Sequence, residues 1–513
     1  MSPRHPVLSG AAAPTQAANC TFGGGCGDAP ANGGLPSVSP AELPGDIEAL
    51  VKNHPCYSQE AHHHFARMHV AVAPACNIQC HYCNRKYDCA NESRPGVVSE
   101  RLSPEAALLK VRAVAAQVPQ LSVVGIAGPG DPLANPGPTF QVLEAVAREL
   151  PDLTLCLSTN GLALPDHADR LAALGVRHVT VTVNMVDPAV GERIYPWVLW
   201  RGKKLRGQDA ARLLSERQLE GLARLRERGV LCKVNSVVIP GVNDGHLPEV
   251  SRRLRAAGVF LHNVMPLISA PEHGTHYGLT GQRGPSDAEL EAVRQACELD
   301  ARVMRHCRQC RADAVGLLGE DRSAEFTTAS LPPEPAQDAP EVRAAHRAAV
   351  ERVRGKAEVE RRLALRALAG VDDGLTARVA VATRGGGLVN EHFGHAREFL
   401  VYQAGRDGAR LLATRKVERY CRGGEDEEDS LTAVLRALAD CQAVLVAKVG
   451  HCPKGQLAAA GIEPVEAHAH QPIEAAALAW FGDFAARVAR GEAKLGPPGP
   501  AVVEPAEIGR AHV

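Results

Sequence analysis

The sequence predicts a mixed α/β protein with two folded domains, and three observations support this class. Residues 41–320 alternate strand-like and helix-like segments, which is typical of a parallel sheet with crossover helices. A second group of short apolar segments begins near residue 377. The chain has 513 residues, which is too long for one ordinary core. We therefore expect a full or partial β/α barrel followed by a small α/β domain.

Short apolar runs predict the strands of the first region. They lie at 68–74, 121–127, 153–157, 179–183, 230–238 and 259–264. Ser103 followed by Pro104 predicts a helix start, because a hydroxyl caps free backbone N–H groups and proline suits the first turn. Another helix is expected at 139–150. The reactive groups of such a sheet should lie at the carboxyl ends of its strands.

Composition divides the chain into five parts. The expected parts are a disordered leader at 1–40, the barrel domain at 41–324, a linker with a surface helix at 325–376, the second domain at 377–492 and a tail at 493–513. The leader is rich in Ala, Pro and Gly, and the linker begins with Pro and acidic residues, a composition that resists ordered packing. The second domain should contain strands at 378–382, 398–402 and 443–447, and helices at 431–440 and 473–490.

Charge and composition exclude several classes of partner. The formal net charge is −1 and only 4% of residues are aromatic, so we expect no nucleic-acid partner. The chain has no run of 18 apolar residues, so no membrane partner is expected either. It has 15 cysteines, an odd number that is grouped in short motifs. This pattern favours metal binding in a reducing compartment, and we expect the cytoplasm.

The most specific motif is C-x3-C-x2-C, formed by Cys76, Cys80 and Cys83. Thiolates are the usual ligands of iron–sulfur clusters, and three of them leave the fourth iron of a cubane open. That iron can chelate the amino and carboxylate groups of S-adenosylmethionine (SAM). Tyr82, just before the last cysteine, fits the same signature. Chance spacing is the alternative, but the order of the surrounding motifs favours a radical SAM site.

Polar and glycine-rich segments at predicted strand ends are candidates for binding SAM. A glycine there permits close backbone approach, and hydroxyl or amide groups can hold a ribose or a carboxylate. Simple turns are the alternative reading for each segment. The candidates are Gly128, Pro129, Gly130, Asp131, Ser158, Asn160, Asn184 and Ile239.

Six further residues are candidate cluster ligands outside the triad. A lone cysteine is usually buried in a hydrophobic core, and a run of histidines is often exposed to solvent. So many thiols near one predicted cavity make those separate explanations less attractive. The candidates are Cys56, His62, Cys89, Cys156, Cys307 and Cys310.

Two other groups carry weaker signals. Cys20 and Cys26 lie in the leader, where unliganded thiols are the better interpretation. In the second domain, a soft-ligand site and ordinary loop histidines are equally good interpretations. The residues concerned there are His392, His395, His451 and Cys452.

Several longer motifs together resemble the NifB family, the radical SAM proteins of nitrogenase cofactor biosynthesis. The resemblance spans about residues 41–320, and the second domain is similar to the NifX/NafY-type cofactor-binding module, a ribonuclease H-like α/β fold. The motifs are His54-Pro-Cys-Tyr57, Cys76-Asn-Ile-Gln-Cys80, Tyr82-Cys-Asn-Arg-Lys-Tyr-Asp-Cys89 and Asn91-Glu-Ser-Arg-Pro-Gly96. Some family members lack the second module, so the resemblance implies that it is dispensable for the core chemistry.

The resemblance implies a reaction in which two [4Fe–4S] clusters fuse around a carbide derived from SAM, with an added sulfur. The product is NifB-co, the precursor of the nitrogenase FeMo cofactor. One SAM donates a methyl group to a sulfide of a substrate cluster. A second SAM is reduced by one electron and cleaved to methionine and a 5′-deoxyadenosyl radical, which takes a hydrogen atom from the transferred methyl group. The implied partners are cluster donors, an electron donor and NifB-co acceptors or carriers of the NifX and NifEN type.

The resemblance also sorts the candidate ligands. It implies that Cys76, Cys80 and Cys83 hold the SAM cluster. One substrate cluster would be held by His62, Cys89 and Cys156, and the other by Cys56, Cys307 and Cys310. Glu92 and Arg94 are candidates for proton handling, with a salt-bridged loop as an equally good interpretation.

Two other hypotheses remain open from the sequence alone. The chain could be a radical SAM enzyme that modifies a peptide or RNA and keeps auxiliary clusters for electron transfer. It could also be a non-enzymatic cluster carrier, as the second domain suggests. Formation of 5′-deoxyadenosine separates the carrier from the enzymes, and survival of the clusters during turnover separates the two enzymes.

Overall fold

The structure, a computed structural model, describes residues 45–84, 97–331, 337–417 and 427–493. The candidates Cys20, Cys26, Cys89, Glu92 and Arg94 lie outside the described residues. The helices are α1 (Gly45–Val51), α2 (Pro104–Gln117), α3 (Pro136–Glu149), α4 (Leu164–Ala173), α5 (Pro188–Gly191), α6 (Gly207–Glu227), α7 (Leu247–Ala256), α8 (His276–Leu279), α9 (Asp287–Glu298), α10 (Pro340–Ala367), α11 (Glu427–Ala437), α12 (His451–Ala459) and α13 (Ile473–Ala489). The strands are β1 (Ala66–His69), β2 (Ile78–Gln79), β3 (Leu121–Ile126), β4 (Thr154–Thr159), β5 (His178–Thr182), β6 (Trp197–Trp200), β7 (Lys203–Leu205), β8 (Leu231–Val238), β9 (Leu261–Pro266), β10 (Val315–Gly316), β11 (Thr376–Val381), β12 (Glu398–Gly405), β13 (Gly408–Lys416), β14 (Ala443–Leu445) and β15 (Glu463–Val465).

The first sheet has seven strands in the order β10-β1-β3-β4-β5-β8-β9. In this sheet β1, β3, β4, β5, β8 and β9 pair in parallel, and β10 pairs antiparallel with β1 at one edge. Within the described residues β9 and β10 do not pair, so the sheet is open. The α/β class is confirmed, and of the two alternatives the partial barrel is the correct one. Its parallel strands place their carboxyl ends along one edge.

Local signals explain where the elements begin. Ser103 Oγ accepts a hydrogen bond from Ala106 N at the start of α2, as the sequence predicted. Helix α3 begins at Pro136, three residues earlier than expected, because proline fits the first helical turn. The first strand is Ala66–His69 rather than 68–74, and this shift of the strand end changes which residue faces the site.

A third, small sheet was not expected from the sequence. Strands β6 and β7 form an antiparallel hairpin, and β6 pairs with β2, which lies inside the cysteine motif. The hairpin carries Trp197 and Trp200. Its strands are too short to be recognised by a helical pattern or by a long strand pattern. The hairpin therefore contacts the loop of the cysteine motif from outside the barrel.

The second domain is built on a five-stranded sheet in the order β13-β12-β11-β14-β15. Strands β11, β12 and β13 are antiparallel, whereas β14 and β15 are parallel to β11. Helix α13 buries Trp480 and Phe481 against this sheet. Across the residues that the structure describes, no helix is long and apolar enough to span a bilayer.

The segment between the domains is more than a surface helix. Arg343 of α10 is 1% exposed and its Nη2 lies 2.7 Å from Asp152 Oδ1, on the loop before β4. Arg354, further along the same helix, pairs with Glu60 at 2.6 Å. Because α10 also packs on α13, it links the two domains through buried and half-buried charges.

Candidate iron–sulfur and SAM site

A cavity of about 290 Å³ lies at the carboxyl ends of the parallel strands. Seven of the predicted ligand cysteines line it, although they come from distant parts of the chain. They are Cys56, Cys76, Cys80, Cys83, Cys156, Cys307 and Cys310. Among the described residues, no three His, Cys, Asp or Glu side chains are close enough to hold a single metal ion. Thiols spread around a wall in this way suit cluster-sized groups better than one ion.

The loop of the cysteine triad is fixed by the Gln79 side chain and by backbone pairing with the hairpin. Gln79 Nε2 donates hydrogen bonds to Cys80 O at 3.0 Å and Cys83 O at 2.9 Å, so it closes the turn between them. His81 N donates to Ile194 O at 2.9 Å, and β2 pairs with the β6–β7 hairpin. The three thiols are thereby held on one short loop that faces the cavity. This donor set fits a cubane with one open iron.

The glycine-rich loop packs directly on the segment before the triad. Gly130 N donates to Ala73 O at 2.7 Å, and Asp131 N donates to Ala75 O at 2.6 Å. A Cβ atom on Gly130 would lie 2.1 Å from Ala75 O, which leaves no room for any side chain. Pro129, Gly130 and Asp131 line the cavity, whereas Gly128 stands just behind it.

The Asp131 carboxylate joins two strand ends. It accepts hydrogen bonds from the Thr159 hydroxyl at 2.9 Å, Asn160 N at 2.5 Å and Leu133 N at 2.9 Å. Burial raises the pKa of this carboxyl, while the same hydrogen bonds oppose the rise. Ser158 and Asn160 line the cavity beside it, and Asn160 Nδ2 lies 3.7 Å from Cys76 Sγ. The side chain of Asp131 is therefore a brace for the SAM side of the cavity.

Asn184 and Ile239 lie behind the cavity wall, which corrects the expectation that they contact SAM. Asn184 is fully buried, and its Nδ2 donates to Tyr82 OH at 2.8 Å and Tyr195 OH at 2.9 Å. Ile239 is also fully buried, and its N–H donates to Asn243 Oδ1 at 2.8 Å. Asn184 acts through Tyr82, whose ring does line the cavity.

The Cys307–Cys310 loop and the thiols opposite it form the other side of the cavity. Asn263 Nδ2 lies 3.2 Å from Cys307 Sγ, and Arg67 Nη2 lies 3.1 Å from Cys310 Sγ. Burial raises the pKa of Cys56, and it raises that of Cys156 to about 12. Thiols in such surroundings stay protonated until a soft metal displaces the proton.

Of the two histidines His62 and His69, only His69 lines the cavity. The His62 ring lies outside the cavity lining, with Nδ1 against Gln59 O and its face 5.3 Å from the His306 ring. His69 ends β1 and lines the cavity, and its Nδ1 lies 2.9 Å from Arg311 O. Burial, followed by the Arg67 guanidinium, lowers the pKa of His69 to about 4, so the imidazole is neutral.

Such an arrangement is typical of a ligating imidazole, because a hydrogen bond at Nδ1 fixes the tautomer and leaves Nε2 for a metal. The sequence did contain a signal for His69, since it stands at the end of a strand. The signal was hidden because the strand was expected at 68–74, which placed His69 near its beginning.

Buried cations on the same side were also missed. Lys233 is 7% exposed and Arg67 2% exposed, and Lys233 projects from the middle of β8 into the cavity lining. A lysine within a predicted, mostly apolar strand is the signal that could have identified it. Cations of this kind suit a site whose occupants carry thiolates and sulfides.

Only some of the candidate ligands of the second domain lie close together. The rings of His392 and His395 are 4.8 Å apart, and His392 Nδ1 accepts a hydrogen bond from Gly394 N at 3.0 Å. The backbone of His392 forms an isolated parallel β-bridge with Lys448. Lys448 lies shortly before α12, which begins at His451. Cys452 on that helix is exposed.

Comparison with known proteins agrees with both domains. Residues 70–254 match the family model of the radical SAM superfamily, and residues 376–482 match the model described as dinitrogenase iron-molybdenum cofactor. Among solved structures, the chain is similar to SuiB of Streptococcus suis bound to precursor peptide SuiA, at 14% identity and a TM-score of 0.35 over 51% of this chain and 52% of that one.

Curated relatives cover most of the chain. A FeMo cofactor biosynthesis protein NifB from Herbaspirillum seropedicae is 57% identical, over 93% of this chain and 92% of the relative. Its counterpart in Azotobacter vinelandii is 54% identical, over 86% of this chain and 90% of the relative. A radical SAM family uses a [4Fe–4S] cluster and SAM, and the cavity offers the thiols for such a cluster. The chain belongs to the NifB family of FeMo cofactor biosynthesis proteins and is a radical SAM enzyme.

Proposed function

We propose that this enzyme uses its thiol-lined cavity to join two [4Fe–4S] substrate clusters, with a carbide from SAM and a sulfur, into NifB-co. The observation that carries the proposal is the convergence of seven cysteines and His69 on one cavity. Three cysteines suffice for the SAM cluster, so four thiols and an imidazole remain for other iron–sulfur groups. A peptide-modifying enzyme with auxiliary clusters would use the same ligands, so the fate of those clusters during turnover is what distinguishes the two.

The SAM cluster would be held by Cys76, Cys80 and Cys83. When bound, it supplies the electron that cleaves SAM to a 5′-deoxyadenosyl radical. The role of the chain there is to hold and to orient. The Gly130 backbone and Ser158 line the space beside the triad, and Asn160 fixes the Cys76 side. Tyr82, held by Asn184, shields the loop from water.

The substrate clusters would occupy the other side. We assign Cys56, Cys307 and Cys310 to one cluster, and Cys156 with Cys89 to the second. His69 replaces His62 in that second set, because His69 and Cys156 come from strands on either side of β3 and both face the cavity. A cluster held by three protein ligands keeps an open iron, and this is what fusion and release require.

Lys233 and Arg67 would balance the charge of the substrates. Lys233 lines the cavity and Arg67 contacts Cys310 Sγ at its edge, and both side chains are buried, so their field acts on the clusters with little screening. Glu92 and Arg94 remain candidates for proton handling. We propose the second domain as a holding site for NifB-co, with cluster donors, an electron donor and acceptors of the NifX and NifEN type as partners.

The proposal is tested by anaerobic reconstitution with iron and sulfide, followed by reductant and SAM. We expect both S-adenosylhomocysteine and 5′-deoxyadenosine, together with loss of auxiliary iron into a transferable cluster. Cys307→Ala should abolish the transferable cluster, whereas Cys232→Ala should not, because Cys232 is buried in the core and does not line the cavity.

Two results would redirect the assignment. Auxiliary clusters that survive many turnovers would indicate a radical SAM enzyme acting on a peptide or RNA. A complete lack of 5′-deoxyadenosine from the reconstituted wild type would indicate a carrier.

A further inference from the structure

The second domain contacts the loop that carries Cys307 and Cys310. Arg308 lies between these two cysteines, and its Nη2 is 2.9 Å from Glu398 Oε1 at the start of β12. The Arg308 side chain is only 7% exposed, whereas that of Glu398 is 30% exposed. Across the described part of the chain, Glu398 is the only carboxylate paired with Arg308. A buried guanidinium depends strongly on such a partner.

A second charged contact lies two residues before Cys307. Arg305 is 4% exposed, and it reaches both Glu298 Oε1 at 2.8 Å and Leu412 O at 3.1 Å, the latter on β13. Glu298 also accepts from Arg410 Nη1 of the second domain at 3.1 Å. Residues on both sides of Cys307 are therefore attached to β12 and β13.

The loop itself has an unusual backbone. Gln309, in its middle, has φ of 50°, a left-handed conformation that is unfavourable for a residue with a side chain. Gln309 Nε2 donates to Pro266 O at 3.1 Å, which anchors this residue to the end of β9. A strained conformation persists only where its surroundings hold it, and here the surroundings include the second domain.

The two domains meet elsewhere too, so the contact at Arg308 is part of a continuous surface. Gly386 N donates to His63 O at 3.2 Å, and Gln59 Nε2 lies 3.5 Å from Tyr402 OH. These contacts involve the segment that follows Cys56. The second domain thus touches both chain segments from which one substrate cluster would be bound.

We propose that the second domain is a clamp on the Cys307–Cys310 loop, and that Glu398 is its positioning residue. This deepens the proposed function and rests on it for the role of the two thiols, but not for the clamp itself. Glu398 fixes Arg308, and Arg308 sets the spacing of the thiols on either side of it. The clamp gives the second domain a task before any product exists, in addition to holding NifB-co.

The test compares three full-length chains in the metal-free state: wild type, Glu398→Gln and Glu463→Gln. Glu463 is the matched control, because it pairs with Arg487 at 2.5 Å within the second domain and is similarly exposed. Each chain is treated anaerobically with iodoacetamide, and the alkylation rate of each cysteine is read by peptide mass spectrometry. Cys297 and Cys441, both fully buried, report unfolding of the first and second domain respectively.

We expect Glu398→Gln to speed alkylation of Cys307 and Cys310 by about tenfold, as loss of a charged hydrogen bond suggests. Cys76, Cys80 and the two buried cysteines should react at wild-type rates, and Glu463→Gln should change nothing. Equal rates in Glu398→Gln and wild type would overturn the clamp. A general rise at every cysteine would overturn it as well, because Glu398 would then support the whole fold.

A second readout separates the clamp from the proposed function. After reconstitution, Glu398→Gln should retain less auxiliary iron than Glu463→Gln. If alkylation responds as expected but iron retention does not, the clamp stands and the assignment of Cys307 and Cys310 as substrate ligands fails.

Discussion

The two sides of the cavity are built by different means. The SAM wall, residues 76–83 and 128–131, is held by backbone hydrogen bonds and by the side chains of Gln79 and Asp131, all within the first domain. The auxiliary wall consists of Cys56, His69, Cys156, Cys307 and Cys310, and side-chain contacts from Arg67, Asn263 and Glu398 hold it. Contacts on the SAM wall thus come from the first domain, whereas the auxiliary wall is also contacted by the second domain through Glu398.

The largest expected effect is on the SAM wall. Gly130→Ala should abolish 5′-deoxyadenosine formation, because the new Cβ would meet the Ala75 backbone at 2.1 Å and push the triad loop away. The strain should cost about 1–3 kcal/mol of folding stability. Gly137→Ala in α3 is the control, since no atom lies within 4 Å of its Cβ position. The measurement is 5′-deoxyadenosine after reconstitution, and normal formation in Gly130→Ala would contradict the contact.

The next effect concerns the histidine of the auxiliary wall. His69→Ala should weaken binding of one auxiliary cluster by roughly 10- to 100-fold, because in the proposed assignment it removes a ligand. His62→Ala is the comparison, and it should retain the iron even if it lowers stability. Iron content and Mössbauer spectra of the two variants measure this directly. Iron loss in His62→Ala alone would indicate that His62, and not His69, is the cluster ligand.

The third effect concerns charge. Lys233→Met should lower the midpoint potentials of the auxiliary clusters by roughly 50–100 mV, since a nearby positive charge favours the reduced state. The SAM cluster should shift less, and Lys233→Arg should restore the potentials in part. Redox titration followed by electron paramagnetic resonance distinguishes the clusters. Unchanged potentials in Lys233→Met would exclude this electrostatic role.

The smallest effects come from matched hydrogen bonds to sulfur. Asn160→Ala removes a donor 3.7 Å from Cys76 Sγ, and Asn263→Ala removes one 3.2 Å from Cys307 Sγ. Each should lower the potential of its own cluster by a few tens of millivolts, on the order of one weak hydrogen bond. A shift of both clusters in either variant would mean that the two walls are not independent.

The same contrast explains what the sequence could predict. The triad of the SAM wall is a local motif, and Gly130 follows a clear strand, so both could be placed without a structure. The parallel α/β sheet was likewise predictable from its apolar runs. His69 was not among the candidates because its position depends on where β1 ends, a boundary that propensity sets only within a few residues.

Other features depend on long-range packing. The partners of Asn184 are separated in the sequence, so its role behind Tyr82 could not be read from a turn signal. Lys233 reaches the cavity because of the strand order, and Arg308 meets Glu398 because the two domains dock. No local pattern encodes these contacts.

The most direct test of the fusion reaction follows labelled atoms through one reconstituted sample. The enzyme is loaded with ⁵⁷Fe in its clusters and given SAM labelled with ¹³C in the methyl group, and the transferable product is isolated after reaction. We predict that the auxiliary ⁵⁷Fe leaves the cavity in a cluster that contains the ¹³C, while the iron held by Cys76, Cys80 and Cys83 stays on the chain. Auxiliary iron that remains bound through many rounds of 5′-deoxyadenosine formation, with no ¹³C in any cluster, would contradict the account.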